Sequence, residues 1–296
     1  MAPTRFMILR RRFTKLIERA RVQREVDALI ADVNDYLGQP REPELPRELS
    51  TFFVQSTLRG AAFELLAKAP DAPWAPALRA FADSLPRDEV LANGARFSTD
   101  FVSINAPNWR AALADLAGAP DVHGLEVGSF EGRSCTWFFD HVVTHPGSTM
   151  TCIDTFDAAD QGARVEAGID HVIDKGTIEA RFDANLAAAG HGARVRKLPG
   201  RSQDRLRTLP ASSFHFTYID GSHVTAHVLE DVILAWRLLR PGGVLIVDDY
   251  GYRANRSTGV DVAPDIALDA FMTCFAGQWS EVHRGYQLIL RKQASS

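Results

Sequence analysis

Asp220, in FHFTYIDGSH, and the pair Asp248-Asp249, in GGVLIVDDY, each follow a short β-branched apolar run. Such runs read as strands of a parallel sheet buried on both faces, and the ligands of an open α/β sheet sit beyond the carboxyl ends of its strands. On neighbouring strands the three carboxylates would converge within a few ångströms. Unpaired anions so close raise one another's pKa values and destabilise the fold unless a cation neutralises them. All-oxygen ligation with room for water suits Mg²⁺ or Mn²⁺ far better than zinc. Asp220, Asp248 and Asp249 are therefore candidate metal ligands, although some of them have the alternative of capping helices or pairing with Arg253 or Arg256. His223, in the loop just beyond Asp220, opens onto the same crevice and is suited to take a proton near neutral pH. It is the candidate general base, set against the structural role usual for a single histidine.

A second group stands at the end of an earlier run, LEVGSFEGRS, which holds Glu126, Gly128, Ser129, Glu131 and Gly132. Gly128 and Gly132 let the backbone turn tightly and approach a ligand, the general logic of nucleoside sites. A pyrophosphate at a helix N-terminus wants N–H dipoles and no nearby carboxylate, whereas this loop carries Glu126 and Glu131. S-adenosylmethionine has no phosphate but has an ammonium and a sulfonium, both of which a carboxylate stabilises. The loop thus favours that cofactor over NAD, with a plain β-α turn as the alternative. The next run, TMTCIDTF, ends in Asp154, where a carboxylate can accept hydrogen bonds from both ribose hydroxyls. After a third run comes Gly200-Arg201-Ser202; Ser202 either reaches an adenine edge or caps the helix that follows.

These residues need a repeating β-α scaffold to position them, and the pattern after about residue 121 supplies one. Strands are expected at 122–128, 149–154, 193–198, 214–220 and 243–248, with helices near 132–143, 177–189, 203–209 and 225–239. The last helix is the clearest, with Val228, Leu229, Val232, Ile233, Trp236 and Leu239 on one face and Arg240-Pro241-Gly242-Gly243 ending it. A helix at 263–276 and runs at 278–283 and 285–291 would close the sheet with an antiparallel hairpin around Gly285. Upstream, helices at 50–68 and 74–84 follow a long amphipathic stretch that begins at Phe13 and stops at Gly38 and Pro40.

The 296 residues are 46% apolar, which excludes a disordered or collagen-like chain. Lys, Arg, Asp or Glu interrupts every apolar run well before the roughly 18 residues a bilayer span needs, so a soluble protein is expected. Residues 1–24 hold eight Lys/Arg against Glu18 alone, whereas the whole chain is at -4. An acidic body argues against a nucleic-acid partner. The basic, apolar-striped start reads as an arm for homo-oligomerisation or for covering the active site, more than as a targeting signal. Cys135, Cys152 and Cys274 form no metal-ligand spacing, and their odd number fits a reducing, cytoplasmic setting; each is expected to be buried among apolar neighbours.

Taken together, LEVGSFEGRS, CIDTF and FTYIDGSHVTAHVLEDVILAWRLLRPGGVLIVDDY resemble the class I S-adenosylmethionine-dependent methyltransferases. The nearer likeness is to the metal-dependent O-methyltransferases that act on sugars of macrolide and aminocoumarin natural products, over about residues 97–292. That resemblance implies an α/β, Rossmann-like sheet of seven strands, mostly parallel with the last antiparallel. It implies cofactor contacts at Glu126, Gly128, Ser129, Gly132, Asp154, Ser202 and Asp220, and a divalent metal at Asp220, Asp248 and Asp249. Some sugar methyltransferases place a second acid just after the motif corresponding to Ile219-Asp220-Gly221 and use it as base; here that neighbourhood offers Ser222 and His223.

The expected protein is therefore an enzyme that methylates a hydroxyl of a small polyol acceptor, such as a sugar, with Mg²⁺ assistance. A metal-independent methyltransferase with His223 as base is one alternative, and a non-catalytic nucleoside-binding protein on the same fold is another. A dehydrogenase is the weakest. The expected organisation is an N-terminal helical extension over 1–90, a connecting segment over 91–121 and the methyltransferase domain over 122–292. Residues 155–176 are long and polar for a strand-to-helix connection and read as a lid, with Phe156, Tyr250 and Tyr252 as candidate acceptor-pocket residues.

Overall fold

The computed structural model describes residues 51–157, 177–251 and 262–294. The expected basic arm, most of the expected lid, and Tyr252, Arg253 and Arg256 lie outside the described residues. The described chain forms two compact units, one of residues 51–91 and 96–107 and the other of 92–95, 108–157, 177–251 and 262–294.

In the first unit, helices α1 (Thr51–Lys68) and α2 (Ala75–Ser84) are separated by a turn that contains Pro70 and Pro73. They bury Leu58, Ala62, Leu65 and Leu66 of one and Leu78, Phe81 and Ala82 of the other. Arg59 is buried with them, and its guanidinium donates to the carbonyls of Pro86 and, at 3.1 Å, Ser98. A two-residue ladder pairs β1 (Glu89–Val90) with β2 (Arg96–Phe97). That ladder and helix α3 (Ala106–Ala112) fall where only a connector was expected. Elements this short carry too few residues for hydrophobic periodicity to show.

The second unit is built on β3 (His123–Val127), α4 (Arg133–His141), β4 (Thr149–Asp154), α5 (Ile178–Ala188) and β5 (Val195–Pro199). There follow α6 (Ser202–Leu206), β6 (Phe214–Ile219), α7 (Thr225–Leu238), β7 (Leu239–Val247), α8 (Pro264–Cys274), β8 (Trp279–Arg284) and β9 (Leu288–Lys292). The seven strands lie in the order β5-β4-β3-β6-β7-β9-β8. The first five are parallel, and β9 runs antiparallel between β7 and β8. This is the Rossmann-like methyltransferase arrangement expected, with the final strand reversed. Strand order reverses between β3 and β6, which sets a ligand crevice at their carboxyl ends.

Periodicity explains how the layers hold. Val228, Val232, Ala235 and Trp236 on α7, together with Ala267, Leu268 and Phe271 on α8, form one buried cluster with Leu125, Val127, Leu245 and Val247 from one face of the sheet. Each large apolar side chain so buried contributes about 1.5–3 kcal/mol relative to exposure. The opposite face carries Glu126, in register with Cys152 on one side and Tyr218 on the other. There Trp109 stacks on Phe138 at 4.9 Å and meets Tyr218 edge-on at 4.9 Å.

One strand boundary and the burial of one cysteine differ from expectation. Strand β7 begins at Leu239, before the Pro-Gly-Gly stop, because Leu239 already pairs with Phe214 while the chain bulges to restore register at Phe216 and Val244. Cys135 and Cys152 are buried, but Cys274 is exposed: it ends α8 on the side away from the core. Among the described residues no helix is long and apolar enough to cross a membrane.

Candidate functional site

An open crevice lies at the switch point, where ligands of open α/β sheets bind. Gly128, Asp154, Ser202, Gln203, Gly221 and His227 are among the residues that line it. Its floor is an extension of the parallel ladder past the strand ends: Gly128 N–H donates to Ile153 O at 2.9 Å, Asp220 N–H to Val127 O at 2.8 Å and Gly200 N–H to Asp154 O at 2.8 Å. Gly128, at φ +84°, is where the two halves touch. A Cβ there would stand 1.9 Å from the Asp220 carbonyl oxygen, so only glycine admits the approach.

Asp154 is placed as expected, at the end of β4 and facing the crevice. Its Oδ2 accepts the Phe130 N–H at 2.8 Å and its Oδ1 the Phe156 N–H at 2.6 Å. Both donors sit at positive φ, 46° and 53°, so the carboxylate holds two uncommon backbone conformations in place. The Ser129 N–H is a third backbone donor to this carboxylate, which leaves about one of its roughly four acceptor sites for a ligand hydroxyl. Burial pushes the Asp154 carboxyl up, against the pull of these backbone N–H groups.

The acids of the glycine loop lie elsewhere. Glu126 is fully buried beneath it, with Oε1 accepting the Ser134 hydroxyl at 2.5 Å and Oε2 3.5 Å from Cys152 Sγ. Burial raises its carboxyl to about 7, with Ser134 pulling the other way. Glu131 is buried too, and its Oε1 pairs with Arg181 at 3.2 Å. The side chains of both glutamates thus answer to protein partners, and Asp154 is the carboxylate on the crevice wall. Ser129 is buried under the loop, and Gly132, at φ +84°, begins α4 against Phe182; neither lines the crevice. Ser202 does line it, but not as a helix cap: α6 starts at Ser202 itself, with Arg201 as the flanking residue. Phe156 is buried, with its ring 5.2 Å from that of Phe182. The Tyr250 hydroxyl donates to Asp269 at 3.0 Å and accepts from Arg284.

Beside the crevice, across the Asp220-Gly221 peptide, the acids gather. The Tyr218 hydroxyl lies 2.7 Å from Asp220 Oδ2 and 2.7 Å from Asp248 Oδ2, and its single proton serves one of them at a time. Burial first, then Asp248 and Asp249, pushes Asp220 well above the ordinary carboxylate range. Burial and Asp249 raise Asp248 to about 6. Asp249 takes φ 60°, a left-handed conformation that Asp tolerates better than most residues. From there its Oδ2 lies 2.5 Å from His223 Nε2 and its Oδ1 accepts the Tyr286 hydroxyl at 2.5 Å. Ligand atoms of Asp220, His223 and Asp249 all lie within 4.8 Å of one another, whereas Asp248 accepts from Tyr218 and from the Asp249 N–H at 2.8 Å.

Four contributors went unread in the sequence. Tyr218 had a signal, because it is two residues before Asp220 and so shares its side of β6. Tyr286 and Gln287 had none: they reach Asp249 and Asp248 only because β9 returns alongside β7 with Leu288 opposite Val247. The fourth, Asp231, lies under the crevice wall, bonded to Gln203 at 3.1 Å.

Residues 125–250 match a protein-family profile described as a methyltransferase domain, a span that runs from β3 to just past Asp249. No curated protein matches the chain. Among solved structures, the chain is similar to the O-methyltransferase TomG from Streptomyces achromogenes, involved in tomaymycin synthesis and solved with SAM, at 18% identity and TM-score 0.46 over 89% of this chain and 96% of that one. An O-methyltransferase from Bacillus cereus in complex with SAH is similar at 16% identity and TM-score 0.46, over 90% of this chain and 97% of that one. The O-methyltransferase NovP is similar at 16% identity and TM-score 0.49, over 81% and 100%.

Proposed function

We propose that this chain is an S-adenosylmethionine-dependent O-methyltransferase acting on a hydroxyl of a small polyol acceptor such as a sugar. One observation carries the reading: Asp220 and Gly221 are consecutive, yet Gly221 lines the crevice at the switch point while Asp220 belongs to the acid cluster. A cofactor held in the first would present its reactive end to whatever the second holds. Asp154 would take a ribose hydroxyl, and Ser202 and Gln203 the base.

The donor set fits a hard divalent cation. Three carboxylates share too few protons to neutralise one another, and the extra donors nearby are a phenol and an imidazole. Asp220 and Asp249 would hold Mg²⁺ or Mn²⁺ together with Asp248, which would give up its Tyr218 bond to the ion, and the ion would supply Lewis acidity toward the acceptor oxygens. The cofactor, when bound, supplies a methyl group on a sulfonium. His223 does the proton work: Nε2 is committed to Asp249 as donor, so Nδ1 takes the proton of the acceptor hydroxyl, and Asp249 stabilises the imidazolium that results. The deprotonated acceptor oxygen would then take the methyl that the bound cofactor supplies, with the C–S electron pair left on sulfur.

The test is incubation of the chain with S-adenosylmethionine and a panel of sugars, glycosides and catechols, with and without EDTA, read by mass spectrometry. Transfer of one methyl to a hydroxyl, lost in EDTA and restored by Mg²⁺, is expected. Transfer indifferent to EDTA would leave the methyltransferase and remove the metal. Cofactor binding with no product on any acceptor would favour the non-catalytic alternative.

A further inference from the structure

Asp231 is a buried carboxyl, 1% exposed, that the proposed reaction does not use. It lies on α7 beneath the crevice wall. Its Oδ1 accepts the Gln203 Nε2 at 3.1 Å, and it also bonds the Ser202 side chain. Both partners line the crevice just beyond β5. Gly221 closes over the other oxygen, where a Cβ would stand 4.0 Å from Asp231 Oδ2. A buried carboxylate is costly unless bonded in this way.

The chemistry of that arrangement has a direction. An ionised carboxylate only accepts, so every group that faces it must donate. Gln203 therefore turns its amide nitrogen to Asp231 and is left with Oε1, an acceptor, as its outward group. Ser202 commits its hydroxyl proton in the same way and keeps lone pairs. A free glutamine presents either end of its amide, whereas this one is held with one end outward.

We propose that Asp231 is a positioning residue that sets Ser202 and Gln203 as hydrogen-bond acceptors, so that this end of the crevice selects a purine with an exocyclic amine over one with a carbonyl. The inference rests on the nucleoside-cofactor reading above. Asparagine at this position offers either an oxygen or an NH₂ to Gln203, and so no longer holds its amide in one orientation.

The test compares S-adenosylhomocysteine with its inosyl analogue, in which a carbonyl replaces the adenine amine, by isothermal titration calorimetry at about pH 8, above the value of about 7 to which burial raises Asp231. Wild type is expected to bind the adenosyl ligand at least about 10-fold tighter, because the carbonyl leaves buried acceptors unpaired. Asp231→Asn and Gln203→Ala should each narrow that ratio to about threefold or less, and the double variant should match Gln203→Ala. A merely structural role weakens both ligands alike and preserves the ratio; a preserved ratio with intact adenosyl binding overturns this proposal alone. Should Asp231→Asn lose cooperative thermal unfolding, the ratio in Gln203→Ala decides. Failure of wild type to bind either ligand overturns the proposed function and this inference with it.

Discussion

His223 Nε2 lies 2.5 Å from Asp249 Oδ2, and the two residues follow β6 and β7, consecutive strands that pair in parallel. The carboxylate orients the ring and stabilises its charged form, the relation a general base needs. His223→Gln should therefore lower kcat by about 10²–10⁴-fold with the affinity for S-adenosylhomocysteine within about twofold of wild type. Steady-state kinetics together with calorimetry check it; a variant within a factor of a few of wild-type kcat would remove His223 from the chemistry.

The acid cluster predicts a stability change on metal addition. A cation that binds the folded chain and not the unfolded one adds about 2.7 kcal/mol at a hundredfold excess over its Kd. Mg²⁺ should raise the thermal midpoint of wild type and leave that of the Asp220→Asn, Asp249→Asn double variant where it was. Equal midpoints with and without saturating Mg²⁺ in wild type would count against the site.

Glu126 predicts a pH dependence with a definite sign. Its folded carboxyl titrates at about 7, above the ordinary 4.5, chiefly because it is buried. Between those values the unfolded chain ionises while the folded one stays protonated, so this group's contribution to stability falls as pH rises through the window and is fully lost above 7. Glu126→Gln removes the ionisation while its amide oxygen can still accept from Ser134. The variant should gain on the order of 3 kcal/mol relative to wild type at about pH 8 and roughly nothing at about pH 4. Urea unfolding at both values measures it, and a difference independent of pH would refute the assignment.

Two glycines with the same φ separate backbone strain from close approach. At Gly132 an added methyl meets the Phe182 ring at 3.1 Å, a side chain that can shift. At Gly128 it meets the backbone of Asp220 at 1.9 Å. Gly132→Ala should cost about 1–2 kcal/mol, the left-handed penalty, while Gly128→Ala should cost more than about 3 kcal/mol and abolish cofactor binding by forcing β3 and β6 apart at the crevice. Chemical denaturation and calorimetry compare them.

Much of this was legible without coordinates, and the reasons differ by residue. The alternation of β-branched runs with helical periodicity determined that the chain folds as a Rossmann-like α/β sheet, because side-chain direction repeats every two residues in a strand and every 3.6 in a helix. It also placed Asp154, Asp220, Asp248 and Asp249 at carboxyl ends, since each ends an apolar run it cannot join. Orientation beyond the strand end was not legible. Glu126 and Asp154 end neighbouring strands within similar patterns, yet the first turns under α4 to Ser134 and the second lies against the crevice. Parity in the strand decides that: Glu126 lies one residue before the last of β3 and faces the helix layer, whereas Asp154 is the last residue of β4, at the open edge.

What only the tertiary structure decided is the pairing of distant segments. Tyr286 meets Asp249, and Asp231 meets Gln203, through the register of β9 on β7 and the packing of α7 beside α6. A strand register shifted by one residue would turn Tyr286 to the other face without changing a single local pattern. Local sequence determines which groups can donate, accept or carry charge; long-range packing selects their partners, because partner choice depends on contacts whose entropic cost only the whole fold repays.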